Sequence, residues 1–347
     1  MTLADLEPSQ SRFSTSAEMQ PRIKAACMAN ADVATYYELG KSEAGRPIYG
    51  VVLGSGAKVV TLIAGAHADE PVGPETLRHF ILSGLQHRDS LAGLFARVRF
   101  VVVPHINPDG EARNQVWIKA WPSIEAYLQH VFREPPGRDL EFGFPQMRQE
   151  NSVVSEFMRA HAPVCLHMSL HGMGFSEGVM LLLDKHWLDR TKLLRQKFAR
   201  FAEQCSLPLH DHDRKGDKGF QYIGPGFTTT PEGEGMRVSF RARGDEQTAR
   251  LFHDSSMEFV HKLGGEPLCV VTELPLFLIR KETQTPRPGV PAAYLEFKEK
   301  LLDLRAQSAQ GKTIDETLRE FRLQPLDLHL QMRLQLYAVQ LALESVL

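Results

Sequence analysis

"LIAGAHADEPVGPETLRHF", residues 62–80, opens as a strand and should continue as a helix. Its first half belongs to the apolar run VVTLIAGA (59–66), which is short, β-branched and runs into glycine, as a buried strand does. Pro74 suits the first turn of the following helix, with Leu77, Phe80, Ile81 and Leu85 roughly on one face. Between strand and helix sit His67 and Glu70, an H-x-x-E pair whose two side chains can reach one ion from a single turn. The same residues also suit an ordinary strand-to-helix connection carrying a surface histidine and an acid. The rest of the chain has to decide.

Outward from this stretch, RVRFVVVP (97–104), residues 164–170 and 178–183, MRVSFRA (236–242) and PLCVVTEL (267–274) read as strands. Helical spacing covers 18–38, 148–161, 187–204 and about 245–263. INPDGEARN reads as a turn, and the Gly-, Pro-, Asp- and Thr-rich stretch 206–235 as a long surface excursion. Residues 1–17 are polar, with a poorly ordered start expected. ETQTPRPGVP (282–291) reads as a linker, followed by two or three helices. The alternation implies an α/β fold, a mixed and largely parallel central sheet with helices on both faces. Sites in such sheets form at the carboxyl ends of strands. His67 and His171 each follow an apolar run and Glu273 ends a third, so the three can converge at one sheet edge.

Composition narrows the function classes. The chain of 347 residues is 43% apolar and 24% charged, ordinary for a soluble globular protein. A formal net charge of −2 gives no basic excess for neutralising phosphates, so nucleic-acid binding is not expected. No run approaches the roughly 20 apolar residues of a membrane span, and the N-terminus lacks a signal-peptide pattern. The four cysteines are far apart and form no C-x-x-C pair, which fits reduced thiols in the cytoplasm.

Six stretches, in order, resemble the zinc metallocarboxypeptidase (funnelin, carboxypeptidase A-like) family over residues 38–280. GKSEAGRPIYGVVLG (40–54) resembles the lead-in strand pair, and GAHADEPVGPETL (65–77) the ligand turn. NPDGEARN (107–114) is similar to the turn bearing a substrate-polarising arginine. GRDLEFGFP (137–145) resembles a segment that usually reads G-V-D-L-N-R-N-F-P. ENSVVSEFMRAHAPVCLHMSLHG (150–172) resembles the approach to a third ligand, and SSMEFVHKLGGEPLCVVTEL (255–274) the specificity helix and catalytic strand.

The resemblance implies one Zn²⁺ per chain held by His67, Glu70 and His171, with Glu273 as general base and Arg113 balancing the oxyanion. Asp139 then orients His67 from behind. It also implies a catalytic domain over 1–283, with 284–347 as a helical extension packed on it, and a peptide or amide as substrate. His167, four residues before His171 on the same strand face, competes for the third ligand position; His171 is preferred because it lies nearer the strand end. His105 reads as structural, and the HDHDRKGDKG run (210–219) as a charged surface loop rather than a metal site.

The chain departs from the family at Glu141 and Phe142, where an Asn-Arg pair usually grips the substrate's free carboxylate. A glutamate there repels a carboxylate and could accept an amine instead. Otherwise a different cation, Arg138, Arg148 or Arg250, has to serve as anchor. Met257 is expected to line the specificity pocket. Two other readings compete with a peptidase: an N-acyl-amino-acid deacylase of the aspartoacylase or succinylglutamate desuccinylase type, and a non-catalytic zinc-binding scaffold.

Overall fold

The computed structural model describes residues 2–8, 12–283 and 286–347; Gln284 and Thr285 of the expected linker, and the first residue and 9–11 of the N-terminal stretch, lie outside them. Among the described residues ten strands form one sheet: β1 (Ala34–Lys41), β2 (Pro47–Leu53), β3 (Lys58–Ala64), β4 (Val98–Val103), β5 (Leu166–Ser176), β6 (Met180–Leu183), β7 (Tyr222–Gly224), β8 (Phe227–Thr229), β9 (Leu268–Leu278) and β10 (Gln324–Pro325). Their order is β1-β2-β4-β3-β5-β9-β6-β8-β7, with β10 added to β9. The centre, β4-β3-β5-β9, is parallel, and both flanks begin with antiparallel pairings. The sheet is mixed, as the sequence implies, and alternate residues of its central strands feed two separate cores. Leu62, Val102, Met168 and Leu170 pack with helices Ser16–Ala29, Val72–Gln86 and Leu328–Val346 on one face. Ile63 and Val101 pack with helices Gln149–Ala160 and Ser256–Lys262 on the other.

Strand lengths create the opening that matters. β3 pairs with β5 only as far as Ala64 opposite Leu170, whereas β5 and β9 stay paired to Ser176 opposite Leu278. His171 is thus the first residue of β5 without a β3 neighbour, in mid-strand rather than at a strand end. Directly across the parallel β5–β9 ladder it faces Glu273.

Several local expectations are corrected. Residues 236–242 belong to a helix, Gly233–Ala242: Met236 is buried and Phe240, one turn on, packs beside it, while Val238 is 55% exposed, a period of four rather than two. NPDG is the start of helix Pro108–Lys119, capped by Asn107, whose side chain accepts from the Gly110 N–H at 3.0 Å. The helix expected near 18–38 ends at Ala29, and that near 245–263 is two short helices, Glu246–Ala249 and Ser256–Lys262. Leu3 and Leu6, in the stretch expected to be loose, are buried in the main core. No helix among the described residues is long and apolar enough to cross a membrane.

Candidate metal centre

The turn after β3 depends on two glycines. Gly65 has φ +76°, and a Cβ there would lie 2.4 Å from the His105 ring. Gly73 lets the next helix start against β5, since its Cβ would meet the Leu170 carbonyl oxygen at 2.1 Å. Together they bring His67 and Glu70 over the exposed part of β5. His67 Nδ1 lies 3.1 Å from Glu70 Oε1 and 3.0 Å from His171 Nδ1, and His171 Nδ1 lies 2.8 Å from Glu70 Oε2. Three donor atoms from two separated segments therefore point at one spot.

The outer nitrogens are held from behind. His67 Nε2 faces Asp139 Oδ2 at 3.2 Å, and His171 Nε2 faces Glu141 Oε2 at 3.0 Å. A carboxylate accepting the outer N–H fixes the tautomer that leaves the inner nitrogen's lone pair free for a metal. Two imidazoles and a carboxylate, with a site open to a cavity, match the donor set of catalytic zinc. The charges agree. Burial opposes protonation of both rings, yet Glu70 and Asp139 hold the His67 pKa well above the usual imidazole range, while Glu141 and Glu70 raise His171 to about 9. Burial would raise Glu70, but His67 and Arg133 hold it well below the usual carboxylate range. The site demands positive charge where the donors meet.

Glu273 stands beside this centre with no hydrogen-bond partner among the described residues. Burial, and then the neighbouring Glu70 carboxylate, push its pKa up to about 7, against the pull of His171, His67 and Arg214. A cavity of about 260 Å³ connects it with His67, His171, Asp139, Glu141, Phe142 and Met257.

Other expected residues lie elsewhere. Arg113 is on the exposed side of its helix, its guanidinium 3.2 Å from the Phe132 ring centre, and it lines a different cleft with Glu43 and Glu134. Its place on the cavity wall is taken by Arg133, which bonds Asp69 at 2.6 Å and also Glu70. Of the three candidate anchors, Arg250 is exposed and pairs with Glu246 at 3.2 Å, Arg138 pairs with Glu43, and Arg148 is buried against Glu150 at 2.6 Å. None of them lines the cavity.

Glu141 is not free for a substrate amine. Its Oε1 accepts from the Ser256 N–H at 3.1 Å and hydroxyl at 2.5 Å, while Ser169 and His171 occupy Oε2. His167 is held neutral between the Thr61 and Ser256 hydroxyls, with burial lowering its pKa to about 4. His105 is likewise buried, its Nδ1 accepting from the Asn107 N–H at 3.1 Å. Two cations that the sequence reading left in a surface loop, Arg214 and Lys218, line the cavity instead.

A second donor group, Asp184, His261 and Cys269, lies within 4.8 Å. There a single nitrogen, His261 Nε2, meets both Asp184 at 2.7 Å and the Cys269 sulfur at 3.6 Å, and a buried hydrogen bond accounts for the arrangement.

Residues 22–163 match the zinc carboxypeptidase family model. Over 137 residues the chain is 27% identical to zinc carboxypeptidase A 1 of Drosophila melanogaster, covering 37% of this chain and 32% of that protein. Over 148 residues it is 24% identical to carboxypeptidase M of Mus musculus, covering 40% and 32%. The chain thus matches about a third of the length of each of these relatives. Its fold is similar to that of carboxypeptidase A from Helicoverpa armigera, with a TM-score of 0.51 at 15% identity over 87% of this chain and 75% of the other. The relatives that these matches share are zinc carboxypeptidase-type metallopeptidases. Residues 22–163 match a family in which zinc dependence is general, and the resemblance read from the sequence stands.

Proposed function

We propose that the protein is a zinc-dependent hydrolase of peptide or amide bonds, with one zinc ion per chain held by His67, Glu70 and His171. The observation that carries this reading is Glu273 lying across the ladder from His171 in the same cavity, a buried carboxyl beside a three-donor centre. When bound, zinc supplies Lewis acidity and lowers the pKa of a coordinated water toward about 7. Glu273 takes the proton from the attacking water and delivers it to the departing amine. Beside a bound cation the Glu273 carboxyl would titrate lower, so its carboxylate form would be ready to act as the base at neutral pH. Arg133, its side chain 40% exposed, turns its free edge to the developing oxyanion while Asp69 and Glu70 hold its position. Asp139 and Glu141 keep both imidazoles in the ligating tautomer.

The Glu-Phe replacement removes the usual carboxylate anchor and turns the position to another use: Glu141 supports His171, and Phe142 is an apolar wall packed on Phe252 at 5.6 Å. The four cysteines are unpaired, which suits a reducing compartment, and the cytoplasm is our reading.

The test is zinc content together with Glu273→Gln. We expect chelation to abolish peptide hydrolysis and added zinc to restore it. Glu273→Gln should cut kcat by roughly 10²–10⁴-fold, the usual contribution of a positioned base, with zinc still bound. A zinc-replete chain whose turnover survived that substitution would refute the assignment. Turnover of N-acyl amino acids but not of short peptides would move the reading to the deacylase.

A further inference from the structure

We infer that Arg214 and Lys218 form the anion subsite of the cavity, holding the free carboxylate of a substrate whose terminal residue is uncharged and apolar. The inference rests on the hydrolase reading and locates what replaces the missing Asn-Arg pair.

Its first support is an imbalance of partners within one loop. The segment HDHDRKGDKG offers three acids, and each is already engaged. Asp211 accepts from the Tyr222 hydroxyl at 2.6 Å and the Gly289 N–H at 2.8 Å. Asp213 pairs with Lys215 at 2.6 Å, and Asp217 accepts from Ser239 at 2.8 Å and pairs with Arg243 at 2.5 Å. Arg214 and Lys218 form no ion pair with any described residue; the Arg214 guanidinium lies 4.1 Å from the Phe220 ring centre. Both side chains nevertheless line the cavity that holds Glu273 and His67. Two half-buried cations with no acidic ion-pair partner on a cavity wall leave a place that an anion would fill.

The second support is how the loop is fixed. Lys218 adopts φ 56° and ψ 24°, a left-handed conformation that a lysine rarely takes. The loop is held at both ends by the Asp211 and Asp217 contacts, so this conformation persists and keeps half-buried Lys218 on the cavity wall. Burial pulls its pKa down, a cost that a bound carboxylate reverses. Arg214 and Lys218 share this cavity with Glu273, so an anion held between them lies in the same cavity as the reacting centre. Apart from the ionic groups at the metal centre and Arg133, the remaining walls are apolar, with Phe142, Leu182, Met236, Met257 and Val271 suiting an uncharged side chain.

The experiment compares hydrolysis of one N-blocked dipeptide ending in phenylalanine with that of its C-terminal amide, and calorimetric binding of N-acetyl-L-phenylalanine with that of its amide. The zinc-loaded full chain should prefer the acid at least tenfold in kcat/KM and bind only the acid. In Arg214→Gln/Lys218→Asn, where asparagine tolerates the left-handed backbone, that preference should collapse toward one through a rise in KM. Acid binding should be lost as well. Equal turnover of acid and amide by the unaltered chain, or a preference untouched by the double substitution, would overturn the subsite while leaving the hydrolase intact. If neither compound is cleaved but the acid still binds in a way that needs Arg214 and Lys218, the hydrolase reading falls and the subsite stands. Neither cleavage nor binding removes both.

Discussion

At Glu141 four donors converge on one carboxylate: two from Ser256, one from Ser169 and one from the His171 ring. An acid suits that environment because both oxygens can only accept. In Glu141→Gln the amide must turn its NH₂ either toward the two Ser256 donors or toward His171, and in either orientation donors face a donor. The His171 ring then loses its fixed tautomer. We expect zinc affinity to fall by roughly 10–100-fold, the usual cost of losing the group behind a ligating histidine, measured by competition with a chromophoric chelator. Fold should be retained. Asp139→Asn should do the same through His67, because Asp139 also accepts from the Glu141 N–H at 2.9 Å. At this scale the meeting of His67, Glu70 and His171 was legible in the sequence, since H-x-x-E and a later strand histidine are marked by type and order. The direction in which Glu141 points was not, because a motif position does not reveal whether the side chain faces substrate or the back of a ligand. Arg113 misled for a similar reason: as NPDG begins a helix, Arg113 is carried round to solvent, and Arg133, in the breaker-rich stretch before Asp139, occupies the cavity wall.

Among the elements, helix Val72–Gln86 carries the ligand turn at its head and is fastened by a buried ion pair one turn further on. Arg78, 1% exposed, bonds Glu111 at 2.7 Å, the Ser14 carbonyl at 2.6 Å and the Ser16 hydroxyl at 2.8 Å. This joins the helix to the N-terminal segment and to helix Pro108–Lys119. Burial would raise the Glu111 pKa, but Arg78 and His105 hold it down to about 2. A depressed folded-state value means that the stabilisation is fully present above the ordinary value of 4.5 and is lost as pH falls from there through about 2. Glu111→Gln should therefore flatten the acid limb of the stability–pH curve in that window, followed by urea unfolding of the metal-free protein. Arg78→Leu should cost about 3–5 kcal/mol near neutral pH, since it strands the buried Glu111 carboxylate. The strands and long helices were legible from apolar period and caps, whereas Gly233–Ala242 was not: M-x-V-x-F alternates like a strand until burial shows Val238 outside. The loop 206–235 was legible only as polar. That it folds back to wall the cavity depends on Asp211 and Asp217 finding Gly289 and Arg243, distant contacts with no local signature.

For the molecule as a whole, helix Leu328–Val346 determines whether the site can exist without the last part of the chain. It packs on helices Val72–Gln86 and Lys192–Gln204 and on β5 and β9, burying Leu334, Leu336, Val339, Leu341 and Leu343 in the main core. Within that apolar contact sits Gln335, fully buried. Its Nε2 donates to the His171 carbonyl and to the Thr272 hydroxyl, each at 3.0 Å, and its Oε1 accepts from the Thr76 hydroxyl at 2.6 Å. One side chain thus ties the backbone of a proposed ligand, the neighbour of the proposed base, and the helix behind the H-x-x-E turn. Gln335→Met keeps the volume but leaves Thr76 without its acceptor and the His171 carbonyl with Thr272 alone. With roughly 1–3 kcal/mol for each buried polar group left unsatisfied, a loss of about 2–4 kcal/mol is expected in denaturant unfolding. Removal of 328–347 exposes the core face of the central strands and should give an aggregating chain rather than a smaller folded unit. The two outcomes separate roles for the helix. If Gln335→Met lowered stability alone, with zinc affinity unchanged, the helix would serve as a cover; if zinc affinity fell as well, the network would be shown to hold His171 in register with Glu273. We expect the second, because the His171 carbonyl and Thr272 lie on the two strands whose pairing sets the distance between ligand and base.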